Sequence, residues 1–262
     1  MISSLSNGQI KYINLLLKKP RARKEENAFV VEGIKMFEES RTHGNLIKAY
    51  FSEEFYSKKE KEEPEFFNDL SYEIIQDSIF KRISDTISPQ GVLAIVEKPS
   101  YDLSNVLANP KASLLLLENI QDPGNLGTMV RTAEGAGFTG IILSSDCVDI
   151  LNPKVIRSTM GAIYRMPFVY VDVFEATLRE VKKNDISIYA AHLDGASYYD
   201  EVEYAKKRGI LIGNESKGLK ETTAKIADKM IKIPMQGRVE SLNAAVAAAI
   251  IMYEVARQDR FS

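Results

Sequence analysis

The stretch Leu114-Leu115-Leu116-Leu117-Glu118-Asn119-Ile120-Gln121-Asp122-Pro123-Gly124-Asn125-Leu126-Gly127-Thr128-Met129-Val130-Arg131-Thr132-Ala133 decides the fold class. A continuous apolar run gives way to a polar, glycine-containing loop that opens a helix. A strand buried on both faces reads as an uninterrupted apolar run, the mark of a largely parallel sheet with helices on both sides. Such sheets bind ligands at the carboxyl ends of their strands, which makes the loop after Leu117 a candidate site. The spacing Gly124-x-x-Gly127 is not the G-x-G-x-x-G of dinucleotide binding, which disfavours a nucleotide-dependent dehydrogenase. Arg131 shares a helix face with Gly127 and Gly135 and is expected about one turn inside the helix, able to reach back over the loop. The plainer reading makes Asn125 a helix cap and Arg131 a surface charge.

Working outward, apolar strands recur at Ile141–Leu143, Phe168–Val171, Ile186–Ala190, Ile210–Gly213 and Met230–Ile233, with helical stretches between most of them. That alternation predicts an α/β domain over residues 112–262, and spacing alone points to an open Rossmann-like sheet. Upstream, Lys98-Pro99-Ser100-Tyr101-Asp102 interrupts every pattern, so a linker is placed at 98–111 and a separate smaller α/β domain at 1–97. In that domain Ile10, Ile13, Leu16 and Leu17 lie at helical spacing and Pro20 is expected to stop the helix. Phe29–Val31, Leu46–Phe51, Tyr72–Ile75 and Val92–Val96 read as strands. Helices are expected at Ile34–Arg41, ending at His43-Gly44-Asn45, and around Ser78–Ile83. The charged stretch 53–69 reads as a solvated helix and loop.

The chain has 262 residues, 45% apolar and 27% charged, which excludes wholesale disorder and fibrous repeats. No apolar run approaches the roughly 20 residues that span a bilayer, and the first residues lack the plan of a secretory signal. Cys147 has no partner for a disulfide, and with His43 and His192 it makes a poor metal set. A reduced, cytoplasmic, metal-free protein is expected. Net charge is −2, but it is uneven. Residues 1–24 hold Lys11, Lys18, Lys19, Arg21, Arg23 and Lys24 without an acid, whereas 53–73 are strongly acidic. A local basic cluster can hold phosphates whatever the total charge; the alternative is a solvated helix face.

Two further segments carry chemistry. In Gly209-Ile210-Leu211-Ile212-Gly213-Asn214-Glu215-Ser216-Lys217-Gly218-Leu219 a buried strand runs into glycines and a carboxylate. Gly213 lets another group approach the backbone, and Glu215 lies where a functional acid is usually found. In Ile233-Pro234-Met235-Gln236-Gly237-Arg238-Val239-Glu240-Ser241-Leu242-Asn243 the polar end precedes an alanine-rich helix, Ala244 to Arg257, that a neighbouring backbone can approach closely. Ser241 and Asn243 are plausible caps. His192 reads as a packed or solvent-edge residue and Cys147 as a small apolar filler.

Together these segments resemble the SpoU (TrmH-like) family of RNA ribose 2′-O-methyltransferases, in the SPOUT superfamily. The motifs stand in order: Asn125-Leu126-Gly127 through Arg131-Thr132-Ala133, then Gly213-Asn214-Glu215 with Gly218-Leu219, then Ile233-Pro234-Met235 with Glu240-Ser241-Leu242-Asn243. Asn152-Pro153-Lys154-Val155-Ile156-Arg157-Ser158 and Gly161-Ala162 also look like the family's stretch. Ser216-Lys217 and Ala244-Ala245 depart from it mildly. The resemblance implies a deep trefoil knot, an exception to the no-knot rule, a homodimer formed across the knotted domain, and S-adenosyl-L-methionine as cofactor. It implies Asn125, Arg131, Glu215, Ser241 and Asn243 around the reacting hydroxyl. Gly213, Ile233, Leu242 and Met235 fall by the same carry-over near the cofactor, and Asp194-Gly195, just after the strand that His192 ends, reads as a loop near it. A guanidinium is too weak an acid to be an ordinary base, so Arg131 more safely polarises the hydroxyl or orients a phosphate, and Glu215 either accepts the proton or anchors Arg131. Residues 1–97 are similar to the family's ribosomal-protein-like RNA-binding domain through Arg21–Lys24, Phe29–Gly33 and Pro89–Ala94. Lys18, Lys19, Arg21, Arg23 and Lys24 would then hold phosphates of an RNA, ribosomal RNA being the expected substrate. A non-catalytic RNA-binding protein with a relic fold, or an antibiotic-resistance rRNA methyltransferase, are the alternatives.

Overall fold

The computed structural model describes residues 1–43 and 45–261. The expected helix end at His43-Gly44-Asn45 therefore falls partly, at Gly44, outside the described residues. The chain divides into two compact units: Met1–Ser100 with Leu151–Tyr164, and Tyr101–Ile150 with Arg165–Ser262.

In the first unit the strands are β1 (Ala28–Glu32), β2 (Leu46–Ser52), β3 (Tyr72–Ile75) and β4 (Val92–Glu97), in the sheet order β1-β4-β2-β3. β4 runs antiparallel to β1 and β2, and β3 runs parallel to β2. The helices are α1 (Gly8–Lys18), α2 (Pro20–Glu25), α3 (Ile34–Thr42), α4 (Glu53–Glu62) and α5 (Asp77–Ile83). α1 is capped by the Asn7 side chain and buries Ile10, Ile13 and Leu16, the spacing that marks it in the sequence. Pro20 does stop it, but as the first residue of α2, where a missing N–H costs nothing. The stretch 53–69 is not solvated throughout. α4 buries nothing, but Phe66 and Phe67 are buried with edge-on contacts to Phe51.

Residues 151–164, continuous in sequence with the second domain, pack in this first unit. A helix, Pro153–Thr159, starts at the Asn152 cap and buries Val155 and Ile156. Tyr164 stacks on His43, with ring centres 5.6 Å apart, and donates to the Met36 carbonyl. Arg157 pairs with Asp85 at 2.7 Å.

The second unit holds β5 (Ser113–Leu117), β6 (Gly140–Ser144), β7 (Phe168–Val171), β8 (Ser187–Ala191), β9 (Ser197–Tyr198), β10 (Arg208–Ile212) and β11 (Lys229–Lys232). Its helices are α6 (Leu103–Leu107), α7 (Pro123–Gly135), α9 (Phe174–Lys183), α10 (Glu221–Ala224) and α11 (Ala244–Phe261), with α8 the helix Pro153–Thr159 of the first unit. Each strand pairs in parallel with its neighbours in the order β7-β6-β5-β10-β8-β11-β9. The Rossmann-like expectation fails here. Chain order would put β8 next to β5, but β10 lies between them, and β11 lies between β8 and β9. All of β5 is buried, as its tetraleucine requires. On one face Leu114 and Leu116 join Phe174, Leu178 and Val181 of α9. α7 and α11 pack against each other, and α11 also meets β10. The expected linker 98–111 is partly core: α6 is capped by Asp102 and buries Val106 and Leu107 in this unit.

Candidate active site

The carboxyl ends of β5, β10, β8 and β11 lead into four loops, and the side chains that matter sit on them. α7 begins at Pro123. Its N-cap is Asp122, whose carboxylate accepts the Asn125 amide at 2.8 Å, so Asn125 is not the cap but lies in the first turn with its side chain free to act. Asn125 Nδ2 donates to Glu215 Oε1 at 3.1 Å, and Asn125 Oδ1 accepts from Asn243 Nδ2 at 2.9 Å. Asn243 Oδ1 meanwhile accepts the amides of Ala245 and Val246, capping α11. Three separated sequence segments thus meet in one chain, Glu215–Asn125–Asn243.

Glu215 stands at the tip of a tight hairpin. Asn214 and Gly218 exchange both backbone hydrogen bonds, at 3.1 and 2.9 Å. A Cβ on Gly213 would lie 2.4 Å from the Gly218 carbonyl carbon, so only glycine permits this turn-back. The carboxylate also accepts the amides of Asp122 at 3.0 Å and Gln121 at 3.2 Å. Partial burial opposes its charge, but the Asp122 amide, the Asn125 side chain and the Gln121 amide together hold its pKa below the ordinary carboxylate value. Glu215 therefore binds the start of α7. It makes no bond to Arg131, contrary to one of its two expected roles.

Arg131 lies eight residues beyond Pro123, more than two helical turns in rather than one. Its side chain is exposed and makes no hydrogen bond or ion pair among the described residues. It is not drawn into the Glu215–Asn125–Asn243 chain. Ser241 is exposed at the rim of the neighbouring cavity.

That cavity, of about 630 Å³, is walled by Gly213, Leu219, Ile233, Met235 and Leu242. Gly195 is not part of the wall. Its Cα faces the backbone of β11, where an added Cβ would come within 2.6 Å of the Ile231 carbonyl carbon, so it serves close packing of two chain segments. His192, Leu193 and Asp194 line the cavity in its place, with His192 half-buried at the solvent edge just after β8. His192 Nδ1 accepts the Asp194 amide at 3.2 Å. Their position at the carboxyl end of an apolar strand was the available signal. Cys147 is buried, which raises its thiol pKa, and its Sγ accepts the Ile120 amide at 3.3 Å, so it also steadies the loop beneath the site.

The residues suit S-adenosylmethionine. The volume lies in the range that encloses cofactor-sized ligands, about 300–1,000 Å³. Apolar walls and backbone can take an adenosine without a phosphate-cradling loop. Both signs of charge, on Asp194, Glu240, Lys217 and Lys232, line the cavity, and a zwitterionic amino-acid tail can pair with both.

Of the basic cluster, Lys18, Lys19, Arg21 and Lys24 are exposed, with Arg21 paired to Glu25 at 2.7 Å. Arg23 is 2% exposed, and its guanidinium donates to the carbonyls of Leu16 and Leu17 at 2.6 and 3.2 Å. It closes the end of α1 and is not placed to hold a surface phosphate.

A parallel sheet with late strands inserted between earlier ones, and a cofactor-sized cavity edged by convergent polar side chains, defines a cofactor-using α/β enzyme. The SpoU rRNA Methylase family matches residues 112–253, and the MRM3-like substrate binding domain matches residues 7–94. The 23S rRNA (guanosine(2553)-2′-O)-methyltransferase RlmP of Bacillus subtilis (strain 168) is 30% identical over 265 residues, covering 97% of this chain and 98% of its own. The AdoMet-bound rRNA methyltransferase from Sinorhizobium meliloti is 29% identical with a TM-score of 0.84, covering 100% of this chain and 98% of that one. The SpoU methyltransferase AviRb from Streptomyces viridochromogenes, in complex with AdoMet, is 26% identical with a TM-score of 0.86, covering 98% and 100%. The chain belongs to the SpoU rRNA Methylase family, and it is an S-adenosylmethionine-dependent RNA 2′-O-methyltransferase.

Proposed function

We propose that the protein methylates a ribose 2′-hydroxyl of 23S ribosomal RNA, in the cytoplasm, as a homodimer whose residues 1–97 hold the RNA. The observation that carries this reading is the meeting of the cavity wall with the Glu215–Asn125–Asn243 chain at one edge. The substrate class is supported by the match to a substrate binding domain and by the activity named for RlmP.

When bound, S-adenosylmethionine supplies a methyl group on a positively charged leaving group, so no metal is needed for the displacement. Gly213, Ile233, Met235 and Leu242 would hold it and exclude water. Asn125, fixed between Glu215 and Asn243, orients the ribose hydroxyl; in-line transfer requires attacker and carbon to be held about 3–3.5 Å apart. The Glu215 carboxylate already accepts from Gln121, Asp122, Asn125 and Asn214 and stays ionised, which suits it to positioning. Arg131, unpaired among the described residues, is available to polarise the hydroxyl or to grip the adjoining phosphate bidentately.

Dimerisation is supported by the surface beside Arg131. α11 exposes Val246 and Tyr253 at 47% and 53%, and the Tyr253 hydroxyl lies against Gly135 of α7. Apolar side chains on such a face favour a partner. The trefoil knot is supported by the insertion of β10 and β11 between earlier strands.

Titration calorimetry with S-adenosylmethionine and with NAD, followed by methyl-label transfer to bulk ribosomal RNA, tests the reading. Saturable binding of the first alone, and label at a ribose whose phosphodiester resists alkali, is expected. Binding without transfer to any ribosomal RNA would favour an idle RNA-binding protein, and NAD binding would overturn the assignment.

A further inference from the structure

We propose that Glu118 is a positioning residue for the cofactor site: its buried carboxylate holds the Gly213–Leu219 hairpin, and so sets both the cavity wall and the place of Glu215. The proposal rests on the cavity being the S-adenosylmethionine site.

Glu118 is the first residue after β5 and is 2% exposed. A carboxylate at that depth persists only when its oxygens are filled. Oε2 accepts the Lys220 amide at 2.9 Å, and Oε1 accepts the hydroxyl of Thr223, itself fully buried, at 2.7 Å. The Lys220 ammonium lies 3.8 Å from Oε1. None of these groups lines the cavity, so the carboxylate acts through what it holds.

What it holds is one leg of the hairpin. The next residue, Asn119, sits in the left-handed region at φ 54° and accepts the Asn214 side chain on its carbonyl at 2.8 Å. Adjacent residues at the end of β5 therefore grip the two legs separately, Asn119 the entering leg at Asn214 and Glu118 the leaving leg at Lys220. Between the legs, the Asn214–Gly218 pairing and the close approach at Gly213 make the hairpin one stiff piece. Releasing the leaving leg moves that piece as a whole. Leu219 then leaves the cavity wall, and Glu215 leaves Asn125.

Three variants test this: Glu118→Ala, Glu118→Gln and Thr223→Val. In Glu118→Ala, the Kd and the KM for S-adenosylmethionine should rise about tenfold or more, and kcat at saturating cofactor should also fall, by more than the folded fraction accounts for, because Glu215 no longer holds Asn125. Glu118→Gln should stay within about threefold of wild type, because its amide oxygen still accepts from Lys220 while its NH₂ donates to the Thr223 oxygen. Thr223→Val should fall between them, and it carries the test by the same criteria if Glu118→Ala does not fold by circular dichroism. A folded Glu118→Ala, or Thr223→Val in its stead, with cofactor affinity within about twofold of wild type would overturn the proposal. So would losses of kcat that track the folded fraction with KM unchanged, which mark a purely structural residue. A wild-type chain that binds no S-adenosylmethionine fails the reading of the cavity itself, a result distinct from these, and the proposal falls with it.

Discussion

Glu215 and Arg131 stand in contrast at the scale of single residues. The carboxylate has a crowded environment of donors, and the guanidinium has none among the described residues. The hydrogen bonds that lower the Glu215 pKa stabilise the folded chain while the group is ionised, and the contribution is complete above its ordinary value near 4.5. It is lost as pH falls below that value toward the depressed folded-state pKa. The difference in melting temperature between wild type and Glu215→Gln should therefore be flat from about pH 8 to pH 5 and shrink below about 4.5; a gap that widens in acid would show that the carboxylate is not held ionised. Arg131→Ala should abolish methyl transfer and leave cofactor affinity within about threefold, since the side chain is not part of the cavity wall. Calorimetry beside a transfer assay measures both, and an active variant would remove Arg131 from the reaction. Asn125, Glu215 and Asn243 were legible as a group in the sequence because each sits in its own motif at a strand exit or a helix start. That Asn125 links the other two was not legible, because the contacts span about 90 and 118 residues.

Elements show where local patterns suffice and where they stop. The tetraleucine of β5, the 3.6-residue spacing in α1 and the polar start of α11 dictated their elements because the forces are short-range. Pro20 was ambiguous, since proline both ends one helix and begins another. Arg23 was misread because charge alone does not reveal burial. Its guanidinium satisfies two carbonyls at the end of α1, so Arg23→Ala should lower stability by about 2–3 kcal/mol, read as a loss in chemical denaturation. Replacing exposed Lys18, Lys19 and Lys24 by alanine should instead leave stability within about 0.5 kcal/mol and weaken RNA binding, with a shallower salt dependence measured by filter binding. Equal effects from the two sets would contradict the division between buried and exposed cations.

The whole molecule is organised by pairings that chain order does not specify. β10 enters between β5 and β8, and residues 151–164 pack with Met1–Ser100 although a family motif places them with the second domain. Deleting residues 1–97 should therefore do more than weaken RNA binding. Val155, Ile156, Ile163 and Tyr164, all buried, would lose the surroundings that cover them, among them Phe29 and Met36. The truncated chain should melt at lower temperature and aggregate, as light scattering would show, and a truncated chain as stable as the full one would refute this packing.

The sequence by itself determined the α/β class, the strands other than the two-residue β9, the main helices, the three chemical segments and the cofactor type. These depend on apolar periodicity, on caps and glycines within a few residues, and on motifs that keep their spacing. Only the tertiary structure decided the strand order, the unit to which residues 151–164 belong, the burial of Arg23 and the linkage of Glu215 to Asn125 and of Glu118 to Lys220. Each of these joins groups far apart in the chain, and the free energy that selects such a pairing comes from burial and hydrogen bonding in the assembled sheet, which no local window contains.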